Sequence, residues 1–237
     1  MLDNALRLQY LQALGIDVWI PKADSVQPPC AIANGPAQTD VPPLPNLALV
    51  PETDWATLAA EVAGCTRCGL CDTRTQSVFG TGDRQADWLF IGEAPGQHED
   101  EQGKPFVGNA GQLLTEMIRA LGLSRDAVFI TNMVKCRPPG NRDPHSDEIA
   151  SCHPYLQQQI NLIQPKIIVA LGRIAAQKLL KTEASLAQLR GKAHDLAGIP
   201  LVVVYHPAYL LRSLLEKRKA WQDLQFALGL VNGNRLG

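Results

Sequence analysis

The chain has 237 residues, 46% of them hydrophobic and 19% charged, enough for one sizeable domain with an appendage. Its longest apolar runs, such as Ile167–Leu171 and Leu201–Tyr205, fall far short of the roughly 20 residues that span a bilayer, and no basic-then-apolar leader opens the chain, so a membrane or exported protein is not expected. The net charge of −1 hides an asymmetry: residues 1–64 carry two basic and seven acidic groups, residues 65–237 carry 20 basic and 16 acidic, a balance suited to a local anionic contact.

Leu2, Leu6, Leu8, Leu11 and Leu14 predict a short amphipathic helix over residues 2–14. Eight of the 17 prolines then fall between Pro21 and Pro51, a composition that predicts an extended linker. A second helix is expected over Asp54–Ala63. From Trp88 onward, short apolar runs alternate with longer amphipathic ones, the pattern of strands buried on both faces and joined by crossover helices. The expected strands are Trp88–Gly92, Val128–Val134, Ile167–Leu171 and Leu201–Tyr205; the expected helices are Gln112–Leu121, Ser146–Ile163, Arg173–Leu180 and Trp221–Leu230. Together they predict an α/β fold, a three-layer α/β/α domain around a central four-stranded parallel sheet. Residues 1–59 are expected to form the N-terminal helix and linker, and residues 60–237 the α/β domain. Ligands of such sheets gather at the carboxyl ends of the strands.

Six cysteines without an export signal point to reduced thiols or a metal site. Cys65 and Cys68 form a Cys-x2-Cys pair; Cys136 follows the second strand, and Cys152 lies on the helix after it. Four thiolates in this arrangement suit either zinc or a [4Fe-4S] cluster, in a structural role that pins the loop Arg137–His145 to the sheet. Cys71 is a reserve ligand and Cys30 a bystander.

The first strand ends in Gly92-Glu93-Ala94-Pro95-Gly96, a stiff turn that brings the backbone of Ala94 and Gly96 close to a ligand while presenting a carboxylate. It lacks the G-x-G-x-x-G spacing of a dinucleotide site, and no helix is expected directly after it. Taken with Cys-x2-Cys, GKPFVGNAGQLL (103–114), TNMVKCRPP (131–139), the further cysteine and HPAYLLR (206–212), this turn resembles the family 4 uracil-DNA glycosylases, the iron-sulfur branch of their superfamily. The resemblance covers about residues 60–230 and implies a structural [4Fe-4S] cluster on Cys65, Cys68, Cys136 and Cys152.

It also implies a uracil-DNA glycosylase, a monofunctional enzyme that hydrolyses the N-glycosidic bond of deoxyuridine and leaves an abasic site, opening base excision repair. Phe106 would stack on an extruded base, Asn132 would read the donor and acceptor edge of uracil, and His206 would donate to a uracil carbonyl as negative charge develops there. Glu93 and Glu99 are the candidates for handling water, since Ala94 stands where family 1 enzymes carry an aspartate. Leu210, Leu211 and Arg212 resemble the superfamily's intercalation loop. Arg137, with Lys135, Arg142, Arg190, Lys192 and Lys217–Lys219, offers phosphate contacts. In isolation Phe106, Asn132 and His206 also read as a core ring, a turn amide and a core imidazole. Two alternatives stand beside the enzyme: a non-catalytic uracil- or DNA-binding module of the same fold, and a zinc-stabilised nucleotide hydrolase. The expected partners are uracil-containing DNA and a repair or replication protein met through the N-terminal segment. The chain is expected to act as a cytoplasmic monomer, nucleoid-associated if bacterial, with no membrane contact.

Overall fold

The computed structural model describes residues 54–233; the helix expected over 2–14 and the proline-rich linker lie outside them. Asp54 opens the first helix, α1 (Trp55–Ala63): its carboxylate accepts from the Thr57 amide at 2.7 Å, and Leu58 and Val62 are buried on one face. The boundary expected after residue 59 falls inside this helix. Six strands follow, β1 (Thr81–Gly82), β2 (Trp88–Gly92), β3 (Phe129–Asn132), β4 (Ile167–Leu171), β5 (Ala193–Leu196) and β6 (Ile199–Val204), in one sheet ordered β1-β3-β2-β4-β6-β5.

The four expected strands are the central ones, and they pair in parallel. The expectation of a four-stranded, all-parallel sheet is corrected: β1 and β5 extend the two edges antiparallel, giving a mixed, mostly parallel sheet flanked by helices. Neither edge strand carries an apolar run. Strand β1 is two residues long, and β5 alternates exposed and half-buried residues because one of its faces meets solvent. A two-residue turn at Ala197-Gly198 joins β5 to β6 with φ of 53° and 86°, the positive values of a tight hairpin, and an alanine at the first position masks the usual Asn-Gly signal.

Alternation along the strands feeds two cores. Leu89, Ile91, Ile168 and Ala170 pack with α1, α4 (Ser146–Ile163) and α5 (Arg173–Leu179). Phe90, Ile130, Val169 and Val202 pack with Leu114 and Ile118 of α3 (Asn109–Ala120) and with Trp221 and Leu224 of α8 (Lys217–Val231). The chain moves from β2 to β3 and then crosses back past β2 to β4, so successive crossovers cover opposite faces and a crevice opens at the carboxyl ends. Three short helices were not anticipated. These are α2 (Gln97–Gln102), which directly follows the first turn and corrects the expectation that no helix does so, α6 (Leu186–Leu189) and α7 (Pro207–Leu210). No helix among the described residues is long and apolar enough to cross a membrane.

Candidate active site

Strand β2 ends in Gly92, and its missing side chain shapes what lies beyond. A Cβ at this position would stand 2.4 Å from Asn132 Oδ1 and 2.6 Å from Phe106 Cζ, so a carboxamide from β3 and a ring from the loop before α3 meet directly over Gly92. The Phe106 ring is tilted 33° against the His206 imidazole, with centroids 5.7 Å apart. The ring, carboxamide and imidazole expected to act together are therefore neighbours. Asn132 is buried, and its Oδ1 has no hydrogen-bond partner among the described residues. A buried unpaired acceptor is costly unless something else supplies its donor.

Phe106 has φ of 52°, a conformation that costs free energy for a bulky residue and persists only when its surroundings impose it. Arg125 imposes it: its Nη2 donates to the carbonyls of Pro105 at 2.7 Å and Phe106 at 3.0 Å, and its Nη1 to Thr115 Oγ1 at 2.9 Å. Gly111 completes the clamp, since a Cβ there would overlap the Phe106 carbonyl. Sequence reasoning missed Arg125 because its partners are main-chain oxygens, which no motif announces.

Burial pushes the His206 imidazole down to about 4, helped by the positive charge of Arg212 and opposed by Glu99. His206 Nδ1 accepts from the Ala208 amide at 3.2 Å at the start of α7, which leaves the proton on Nε2. Glu93 moves the other way: burial, reinforced by the negative charge of Asp143 and opposed by Arg173, raises it to about 7. Asp143 itself pairs with Arg173 at 3.2 Å, and neither residue was singled out from the sequence. Glu99 has a different task. One of its oxygens accepts from the amides of Val107 at 2.9 Å and Gly108 at 3.2 Å, the other from Gly96 at 3.2 Å. It holds the turn to the start of α3, and the Gly96 amide is spent on it. Ala94 packs against the core beside α1 and α4.

The structure divides the expected DNA contacts. Leu210 is 1% exposed, packed in the core, whereas Leu211, Arg212, Leu214 and Leu215 are exposed, Leu215 at 91%. Arg137 is half-buried with Nε on Asn141. Lys135 is buried, Arg190 is paired with Asp223 at 2.6 Å, and Arg142 grips both oxygens of Glu148, holding that carboxyl down at about 2, so these three do not face a phosphate. Lys192, Lys217 and Arg218 are free of ion pairs among the described residues.

The cysteines gather elsewhere. Cys65, Cys68, Cys71, Cys136 and Cys152 all line one small pocket, open to solvent, between the end of α1, the turn 69–72, the end of β3 and α4. Arg74 Nη1 donates to Cys136 Sγ at 2.9 Å and the Lys135 amide to Cys152 Sγ at 3.3 Å. Burial pushes the Cys136 thiol up and the Cys152 thiol up to about 11. Among the described residues no three His, Cys, Asp or Glu side chains stand close enough to share a single ion. Thiols lining one pocket, with N–H donors aimed at two of the sulfurs, are a donor set that suits a metal centre held by cysteines.

The sequence belongs to a known class. Residues 79–225 match the family model described as the uracil DNA glycosylase superfamily. Within it, the chain is 50% identical over 174 residues to a type-4 uracil-DNA glycosylase of Saccharolobus solfataricus, covering 68% of this chain and 81% of the relative. The type-4 enzyme of Sulfurisphaera tokodaii is 48% identical (66% and 78% covered), and that of Thermotoga maritima 44% identical (73% and 93% covered). The chain belongs to the type-4 uracil-DNA glycosylase family.

Proposed function

We propose that this chain is a uracil-DNA glycosylase, a hydrolase that cuts the N-glycosidic bond of deoxyuridine in DNA, releases free uracil and leaves the abasic site from which base excision repair proceeds. One observation carries the site assignment: the unpaired, buried Asn132 Oδ1 beside the Phe106 ring over the bare Cα of Gly92. Uracil offers an imide N–H to that acceptor and a carbonyl to the amide of the same side chain; cytosine presents the opposite polarity. Phe106 stacks on the flipped base. The neutral His206 donates from Nε2 to a uracil carbonyl, a bond that strengthens as the leaving base becomes an anion.

Glu93 is the residue that positions and activates water, because Glu99 already accepts three backbone hydrogen bonds. The DNA face is the exposed tip Leu211–Leu215 with Arg212, Lys217 and Arg218, plus Arg137. Leu214 and Leu215, not the buried Leu210, are available to fill the space left by the extruded base. Cys65, Cys68, Cys136 and Cys152 hold a [4Fe-4S] cluster, which when bound supplies a cross-link between the end of α1, the end of β3 and α4. Residues 60–237, continuous with the first turn of α1, make up the catalytic domain, acting as a monomer on DNA in the cytoplasm, on the nucleoid if the cell is bacterial. Residues 1–59 are the segment through which a repair or replication protein is met.

The test is release of free uracil from a labelled deoxyuridine oligonucleotide by the purified protein. Multiple turnovers that leave alkali-labile abasic sites are the expected result. A shift in oligonucleotide mobility without uracil release would refute the enzyme and leave a binding module.

A further inference from the structure

Lysine is among the residues least often buried, yet Lys135 is 1% exposed at the carboxyl end of β3. Its ammonium donates to Thr131 Oγ1 at 2.6 Å, to the Asn132 carbonyl at 2.9 Å and to Gln159 Oε1 of α4 at 2.6 Å. Thr131 Oγ1 and Gln159 Nε2 in turn both donate to the Phe79 carbonyl at 2.9 Å, which closes the network. The main chain of the same residue faces the other way, its amide toward Cys152 Sγ, and the next residue is Cys136.

We propose that Lys135 is a positioning residue for base recognition: it ties the Asn132 end of β3 to the cysteine cavity, so that the order of one site fixes the aim of the other. This rests on the assignment of Asn132 to uracil above. The last β1–β3 pair is at Ile130, so the Asn132 carbonyl lies past the ladder on that side, and Lys135 supplies its donor. A carboxamide read against a base edge tolerates little drift, and the restraint on its backbone is therefore a restraint on selectivity.

The experiment uses the full-length, iron-loaded protein. Lys135→Met alone strands three buried acceptors and is expected to lose much of its folding stability. The double variant Lys135→Met/Gln159→Leu removes the ammonium and its α4 acceptor together, a change that a core tolerates better. Three quantities are measured: inhibition by free uracil, affinity for abasic-site duplex, and visible absorbance per chain. Uracil binding is expected to weaken about tenfold, the loss of roughly one aligned hydrogen bond, with abasic-duplex affinity within about twofold of the parent and absorbance retained. Unchanged uracil binding in the folded, coloured double variant overturns the proposal, as does a parallel fall in both affinities, which marks general loosening. A parent protein that binds no uracil overturns the Asn132 assignment itself. In the parent, amide exchange across residues 131–136 should quicken when the iron is removed; an unchanged rate sinks the tie to the cavity.

Discussion

Replacing Gly92 with alanine tests the convergence at the end of β2 with a single methyl group. Gly92 is fully buried in an extended strand and does not need glycine for its backbone conformation, so the substitution acts through space alone. The new Cβ would stand 2.4 Å from Asn132 Oδ1 and 2.6 Å from Phe106 Cζ, where real Cβ contacts essentially never fall below 3.0 Å. The main chains of both neighbours are held, Asn132 by the ladder and Lys135 and Phe106 by Arg125, so the carboxamide and the ring themselves must give way. Both must move by roughly 0.5 Å, and a misplacement of about 1 Å costs about 10²-fold in rate, so kcat/KM for uracil release should fall by roughly 10- to 100-fold. Overpacking should also lower stability by about 1–3 kcal/mol. Steady-state uracil release well below the melting temperature, beside a thermal melt, separates the two effects. A folded Gly92→Ala protein with parental kcat/KM would falsify the placement of the base over Gly92.

Further predictions follow from the same geometry. The kcat/KM profile should rise through about pH 7 as Glu93 ionises. Asp143→Asn removes the negative charge beside it and should move that limb to lower pH, whereas Glu93→Gln should abolish it together with about 10²–10⁴ of the rate. His206→Ala should lower kcat by about 10²–10³, the size of one oxyanion-type donor, and an undiminished rate would take the imidazole out of the mechanism. Folding stability should carry the same residue's signature. The folded imidazole titrates near 4 instead of 6.5, so the unfolded chain binds the extra proton between those values. Its contribution is fully present above about pH 6.5 and lost as the pH falls toward 4, a slope that denaturant melts of a His206→Gln variant should lack. Cys71→Ala should keep the visible absorbance per chain of the parent while Cys136→Ala loses it; equal loss in both would make Cys71 a ligand.

What the sequence made legible was whatever writes itself as an apolar run or a residue with a side-chain partner. The helix Ser146–Ile163 and the strands Trp88–Gly92 and Ile167–Leu171 are found at the predicted bounds because their burial is continuous or periodic. The convergence of Glu93, Asn132 and His206 could be anticipated from strand ends on a parallel sheet, whereas Phe106 joined them only through the family resemblance. The edge strands could not, since Ala193–Leu196 faces solvent on one side and Thr81–Gly82 is too short for any period. The roles of Arg125 and Lys135 were hidden for another reason: both read as surface cations until the carbonyls they bind are placed around them. Leu210 closes α7 against the core while Leu215 lies in the turn beyond it, outside the seven-residue motif, so the motif alone does not tell them apart.

Burial acts on the two ionisable groups of the site in opposite senses, and the proposed reaction would draw on both. It drives His206 down and Glu93 up, so each is biased toward its uncharged form before substrate arrives. A neutral imidazole with Nδ1 occupied by the Ala208 amide can only donate from Nε2. Such a donor binds a carbonyl in the ground state weakly and an anionic uracil strongly, which makes its contribution differential. A carboxyl group near its midpoint at neutral pH can in turn accept a proton from water when the departing base leaves a positive sugar, and that sugar's charge itself favours the ionised carboxylate. The neighbouring Asp143–Arg173 pair sets how far that balance leans, because the aspartate raises Glu93 and the arginine opposes it. The same withdrawal from water that biases both groups toward their uncharged forms in the free protein therefore makes each most responsive to the charge that appears at its own end of the breaking bond.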